Sequence, residues 1–209
     1  MEDNVVPSGQ NGQNTLLDFH LSTMQLENPT LIHPGPKWSV PLFLLHDGGG
    51  TIFNYFMLGD MKRPVYGIQD PKFGTEAQWP GGMDEMARLY ISYIRSVVSQ
   101  GPFLLGGWSL GGFVSLEIAG LLAAEPSPIR VAGIIMIDSP FPEHWPEYRD
   151  RYVDADFSVN DTTSAKTKQA VDWRMDECDR ILESWKVPRW TVSFLAFTPP
   201  FPPAGAHLN

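Results

Sequence analysis

The chain has 209 residues, 43% of them hydrophobic, and a formal net charge of −9. That length suits one compact domain with a sizeable core, and ordinary apolar content with modest charge excludes disorder of the whole chain. The acidic balance, without a Lys/Arg cluster, argues against nucleic acid and against an anionic membrane surface as partners.

A single cysteine, Cys178, rules out an intrachain disulfide and suits a reducing compartment. The opening MEDNVVPSGQNGQN has neither the basic nor the apolar region of a secretion signal. No apolar run reaches the roughly 18 residues of a membrane span. The closing HLN is not an S-K-L type address. One Cys and scattered His residues give no metal-ligand spacing. The expectation is a cytoplasmic protein with no metal centre and no membrane contact.

Residues 1–14 are expected to be disordered and 15–40 to form a loosely packed leader, with the folded domain running from 38 to 209 and the leader taken as 1–37. Leu42–Leu45 is a short apolar run closed by Gly48, Gly49 and Gly50, which predicts a buried strand. TIFNYFMLGDM places Ile52, Tyr55 and Phe56 at helical spacing. RPVYGIQD predicts a second strand. MDEMARLYISYIRSVVSQG predicts an amphipathic helix, with Met83, Met86, Leu89, Tyr90, Tyr93, Ile94 and Val97 recurring at i, i+3, i+4 spacing. Asp84 and Glu85 suit its first turn, and Gly101 suits its end.

PFLLGG predicts a third strand, FVSLEIAGLLAAE a helix apolar on most faces, and IRVAGIIMIDSP a fourth strand ending at Asp138. Strand and helix alternate to this point, which predicts parallel strands joined by helical crossovers. After Pro140 the chain turns polar and aromatic-rich. Within it, AVDWRMDECDRILESW carries a helical stripe of Val171, Met175, Cys178, Ile181, Leu182 and Trp185. RWTVSFLAF predicts a last strand, and TPPFPPAGAHLN an irregular tail.

Gly107-Trp108-Ser109-Leu110-Gly111 is G-x-S-x-G between a predicted strand and a predicted helix. A nucleophilic serine must project from a sharp, strained turn. The flanking positions must then be small, and the following helix aims its N-terminal N–H groups at the reacting centre. The Leu110 N–H can then donate to a developing oxyanion. A second donor should come from the turn after an earlier strand. HDGGG is placed for it, with Gly48 the first choice and Gly49 the second, because glycine lets a backbone N–H approach a ligand closely. HDGGG is not a phosphate loop, since no G-K-[ST] follows.

A serine nucleophile needs a base, and the base an orienting acid. With the serine on a strand-to-helix turn, the chain order should be Ser, Asp or Glu, then His. Asp138 ends a strand 29 residues after Ser109, at the strand edge where parallel sheets gather catalytic groups. It also suits a plain strand-terminal turn in DSP. His20, His33 and His46 precede Ser109, and His46 reads as structural. His144 follows Asp138 closely. His207, third from the end, comes last as the order requires; a histidine of an irregular tail is the other reading.

Together PLFLLHDGGG, RPVYGIQDP, GPFLLGGWSLGG and VAGIIMIDSP resemble the thioesterase domains of polyketide synthases and non-ribosomal peptide synthetases, most closely the fungal, stand-alone type. The resemblance covers roughly residues 38–145. It implies an α/β-hydrolase fold: a mostly parallel central sheet flanked by helices, with a helical lid at about residues 140–186. It implies Ser109 as nucleophile, Asp138 orienting the base, and Gly48 and Leu110 as oxyanion donors; His207 is the base only where the tail is compressed rather than truncated. Trp145, Tyr148, Tyr152, Phe157 and Trp173 of the lid would suit an apolar tunnel or simply fill lid core.

The implied substrate is a polyketide or peptide acyl chain on the phosphopantetheine of a partner acyl or peptidyl carrier protein, with no cofactor bound to the chain itself. The implied reaction is release of that chain in secondary-metabolite, toxin-like biosynthesis. After the lid the chain departs from the family: TVSFLAF fits one strand, a further strand is missing, and PPAGAHLN closes the sequence. The tail is either compressed with His207 in place or truncated. A general esterase for small esters and a hydrolase-fold remnant without catalysis are the rival readings.

Overall fold

A computed structural model of the protein describes residues 26–139 and 163–188. The expectations for residues 1–25, for His144, Trp145, Tyr148, Tyr152 and Phe157, for the strand TVSFLAF and for His207 lie outside the described residues.

Among the described residues, five strands form one sheet: β1 (Thr30–His33), β2 (Leu42–Leu45), β3 (Val65–Ile68), β4 (Gly101–Trp108) and β5 (Ile129–Ile137), in the order β1-β3-β2-β4-β5. The pairings β3–β2, β2–β4 and β4–β5 are parallel, and β1 joins β3 antiparallel. Three helices follow the predicted patterns: α1 (Gly82–Val97), α2 (Leu110–Ala124) and α3 (Ala165–Ser184). No described helix is long and apolar enough to cross a membrane.

β2 is buried along its whole length because both faces are covered, which is why it reads as an unbroken apolar run. Phe43 and Leu45 join a large cluster with Met86, Tyr90 and Ile94 of α1 and Phe113 and Val114 of α2. Leu42 and Leu44 face a smaller cluster of Ile52, Tyr55 and Val65 on the other side.

Three expectations need correction. Thr30–His33, inside the expected loose leader, is an edge strand. Asn28 fastens its start by donating its side-chain amide to the Gln69 carbonyl and accepting from the Gln69 N–H, both at 2.9 Å. TIFNYFMLGDM is not a full helix but a 3-10 turn, Phe53–Met57, with Tyr55 buried and Phe56 exposed. Gly101 does not cap α1. That helix ends into extended Val98, and Gly101, at φ +94°, opens β4. Asp84 and Glu85 do stand in the first turn of α1, and Glu85 Oε2 accepts the Gly81 N–H at 2.7 Å.

α3 spans the second half of the expected lid, and it packs on the body of the domain. Cys178, Ile181 and Leu182 enter the main cluster. Arg174 forms a buried ion pair with Asp70 at 3.0 Å and donates to the Thr75 and Ala77 carbonyls. Glu177 accepts the Trp79 N–H at 2.6 Å, and Trp185 donates to Glu117 of α2 at 2.7 Å. Arg174 also lies over the Trp173 ring, 4.0 Å from its centroid.

Candidate active site

The sheet brings the motifs to one edge. Leu45 is in register with Ile68 and Gly107, and Trp108 with Ile137. The strands are parallel, so the loop 46–50, Asp70, Ser109 and Asp138 all leave the carboxyl edge of the sheet, where parallel α/β folds assemble their sites.

Ser109 joins β4 to α2 with φ 49° and ψ −113°, a left-handed backbone that costs a non-glycine residue about 1–3 kcal/mol. The turn is held from outside. The Ser109 N–H donates to the Ile137 carbonyl at 2.9 Å, the Gly112 N–H donates to the Ser109 carbonyl at 3.1 Å, and Ser139 Oγ donates to the same carbonyl at 2.7 Å. Asp138 is left-handed too, at φ 49°, and exposed at the end of β5. The serine turn and the aspartate turn are thus stitched together by backbone.

The two motif glycines are required by close approach. A Cβ on Gly107 would sit 2.6 Å from Gly111 Cα and 2.8 Å from the Leu45 oxygen. One on Gly111 would sit 2.5 Å from the Leu45 oxygen and 2.8 Å from that of His46. The elbow is therefore wedged against the end of β2, and the glycines are what allow it.

Gly48 and Gly49 are buried under α3. A Cβ on Gly48 would meet Met175 Sδ at 2.8 Å and Cys178 Sγ at 3.3 Å, and one on Gly49 would meet Val171 at 3.2 Å. Their small size is explained by helix packing as well as by the ligand approach expected from sequence. Burial pushes the Asp47 carboxyl up, and His46 and the N–H groups of Thr51 and Gly49 offset part of this. Burial also pushes the Cys178 thiol up, so it is no rival nucleophile.

His46 is structural, as the sequence reading has it. It is buried, its Nδ1 donates to the Asp47 carbonyl at 2.6 Å, and its Nε2 is hydrogen-bonded to the Tyr90 hydroxyl at 2.6 Å. His33 donates Nε2–H to the Leu58 carbonyl at 2.6 Å. Neither described histidine is bonded to Ser109, and His207 lies outside the described residues. The structure brings Ser109, Leu110, Asp138 and Gly48 to one edge of the sheet. Sequence reasoning missed Ser139, whose hydroxyl fixes the elbow, although it stands in the quoted IDSP.

A family model described as a thioesterase domain matches residues 40–180. The chain belongs to the thioesterase family. It is 42% identical over 153 residues to the probable thioesterase gloN of Glarea lozoyensis, covering 73% of this chain and 53% of that protein. It is 37% identical over 184 residues to the nonribosomal peptide synthetase imqB of Aspergillus flavus, covering 87% of this chain and 5% of that protein. The crystal structure of the NocB thioesterase domain from the nocardicin cluster matches at 26% identity with a TM-score of 0.57, covering 72% of this chain and 66% of that one. The chain spans between about half and two thirds (53–66%) of three thioesterases it matches. The fold of this thioesterase-family chain is the α/β-hydrolase fold expected from the resemblance.

Proposed function

We propose that the chain is a thioesterase that releases a polyketide or peptide acyl chain from a carrier-protein thioester. The observation that carries this is the Ser109 elbow: a strained serine at the carboxyl edge of the sheet, between a strand and a helix, with Gly107 and Gly111 wedged against the Leu45 carbonyl. Nothing in a passive turn requires a left-handed serine held by three backbone-directed hydrogen bonds.

In this reading Ser109 Oγ attacks the thioester carbonyl carbon. The base takes the Oγ proton as the C–O bond forms, and passes it to the phosphopantetheine sulfur as the C–S bond breaks. The tetrahedral oxyanion is held by the N–H groups of Leu110 and Gly48. Water or a nucleophile within the chain then releases the acyl group. His207 is proposed as the base and Asp138 as its orienting acid. α3, which packs on the loop 46–50, is proposed as the inner part of the lid over the acyl chain, and Trp173 as an apolar contact.

Identity to a stretch of a nonribosomal peptide synthetase supports a carrier protein as partner, and a cytoplasmic site of action with no bound cofactor is part of the proposal. The test is hydrolysis of an acyl thioester borne on a carrier protein, by wild type and by Ser109→Ala. Wild type is expected to turn over at least about a thousandfold faster. Equal rates reject the mechanism, and equal turnover of small esters without preference for carrier-bound thioesters points instead to a general esterase.

A further inference from the structure

We infer that Tyr55 is a positioning residue that sets the spacing between the two halves of the site, the loop after β2 and the nucleophile elbow after β4. The inference rests on the thioesterase reading of Ser109 and Gly48 above. Tyr55 lies in the 3-10 turn that follows the loop, and its side chain is buried. Its O–H donates to the Leu45 carbonyl at 2.8 Å and accepts from the Trp108 N–H at 2.8 Å. Leu45 immediately precedes the loop 46–50, and Trp108 immediately precedes Ser109. One phenolic oxygen thus ties the roots of both halves.

The tie is made to an atom that is already crowded. The Leu45 oxygen is the one that a Cβ on Gly107 or Gly111 would strike, so a shift of that carbonyl is felt directly at the elbow. Leu42, Leu44, Ile52 and Val65 hold the ring from the apolar side. Burial pushes the phenol up to about 12, with the Trp108 N–H offsetting part of this, so the group keeps its proton and both bonds at neutral pH.

Bridging a carbonyl and an N–H requires a group that donates and accepts at once, and a hydroxyl does both. Phenylalanine fills the same space and does neither, leaving the buried Leu45 carbonyl and the part-buried Trp108 N–H without this partner. Oxyanion donors act over a narrow range of distance, and the oxyanion exists only along the reaction path. Slack between the halves therefore lowers kcat more than it raises KM.

The experiment compares Tyr55→Phe with Ile52→Val in the full chain. Ile52→Val trims the same apolar cluster and leaves the bridge intact. With a carrier-borne acyl thioester, Tyr55→Phe is expected to lower kcat about tenfold and to leave KM within about twofold, a modest loss for displaced rather than deleted donors. Ile52→Val is expected to keep both constants. Backbone amide exchange, which needs no catalysis, should quicken in Tyr55→Phe at residues 46–50 and at 108–110 together.

An unchanged kcat, a KM increase in place of a kcat loss, an equal kcat loss in Ile52→Val, or faster exchange in only one half overturns the proposal. If wild type is no faster than Ser109→Ala, the thioesterase reading fails, and the exchange result alone decides whether Tyr55 couples the halves. If Tyr55→Phe does not fold, 3-fluorotyrosine at residue 55 keeps the hydroxyl and weakens it as an acceptor. Faster exchange at Trp108 then supports the bridge, and unchanged exchange overturns it.

Discussion

Ser109 holds a backbone conformation that the rest of the site is built to enforce. Its carbonyl accepts from Gly112 N–H and Ser139 Oγ, and its own N–H is taken by Ile137. Strain kept at one residue against such restraints is a cost to stability that function explains. Ser109→Gly, which tolerates φ 49°, is therefore expected to stabilise the fold by about 1 kcal/mol in urea unfolding while abolishing thioester turnover. Gly111 gives the opposite prediction to helix propensity. Alanine is ordinarily about 1 kcal/mol better than glycine inside a helix. At Gly111 the new Cβ would lie 2.5 Å from the Leu45 oxygen, so Gly111→Ala should destabilise by roughly 1–3 kcal/mol. A more stable Gly111→Ala would show that the elbow is not wedged against β2. The need for small residues around Ser109 was legible in G-x-S-x-G. The identity of what they touch was not, because Leu45 presents a backbone oxygen that any residue would present.

At the scale of elements, α3 is held by buried polar contacts in addition to its apolar stripe. The stripe Val171, Met175, Cys178, Ile181, Leu182 and Trp185 was readable from spacing. Arg174 and Glu177 were not, since a helical pattern sorts apolar from polar and says nothing of a partner 104 residues away. Removing one member of a buried ion pair leaves the other uncompensated, at about 3–5 kcal/mol. Arg174→Ala should cost that much in urea unfolding, and a loss below about 1 kcal/mol would contradict the pairing with Asp70.

Glu177 adds a pH dependence. Burial works against its carboxylate, but Arg180, the Trp79 N–H and Arg174 outweigh it and hold the carboxyl below its ordinary value of 4.5. A carboxyl lowered in the folded state contributes stability that is present above the ordinary value and lost as pH falls through the folded one. Wild type should therefore lose stability as pH falls below about 4.5. Glu177→Gln should be less stable at pH 7 and fall less steeply in that window, read from thermal unfolding across pH. β1 escaped the sequence reading for a related reason. Thr30–His33 is four residues between Pro29 and Pro34, and only its pairing with β3 makes it a strand.

At the scale of the molecule, four parallel strands carry the loop 46–50, Asp70, the serine elbow and the Asp138 turn to one edge of a single sheet. That much was legible, because short apolar runs closed by glycine or aspartate mark strand ends and the alternation with helices fixes their parallel sense. What the pattern could not supply is how the parts are tied across the edge: Tyr55 to Leu45 and Trp108, Ser139 to the elbow, and Arg174 to Asp70 beside Gly50. These ties run through hydroxyls, backbone atoms and a buried ion pair, none of which has a periodic signature.

The central claim is that Ser109 becomes acylated. The direct measurement is mass spectrometry of the full chain after brief exposure to an acyl-phosphopantetheine thioester, with the acylated peptide sequenced. The peptide carrying Ser109 is expected to gain the mass of one acyl group, and the corresponding peptide of Ser109→Ala is not. Acylation of any other residue at the same rate in both proteins, or turnover of the thioester unchanged in Ser109→Ala, would contradict it.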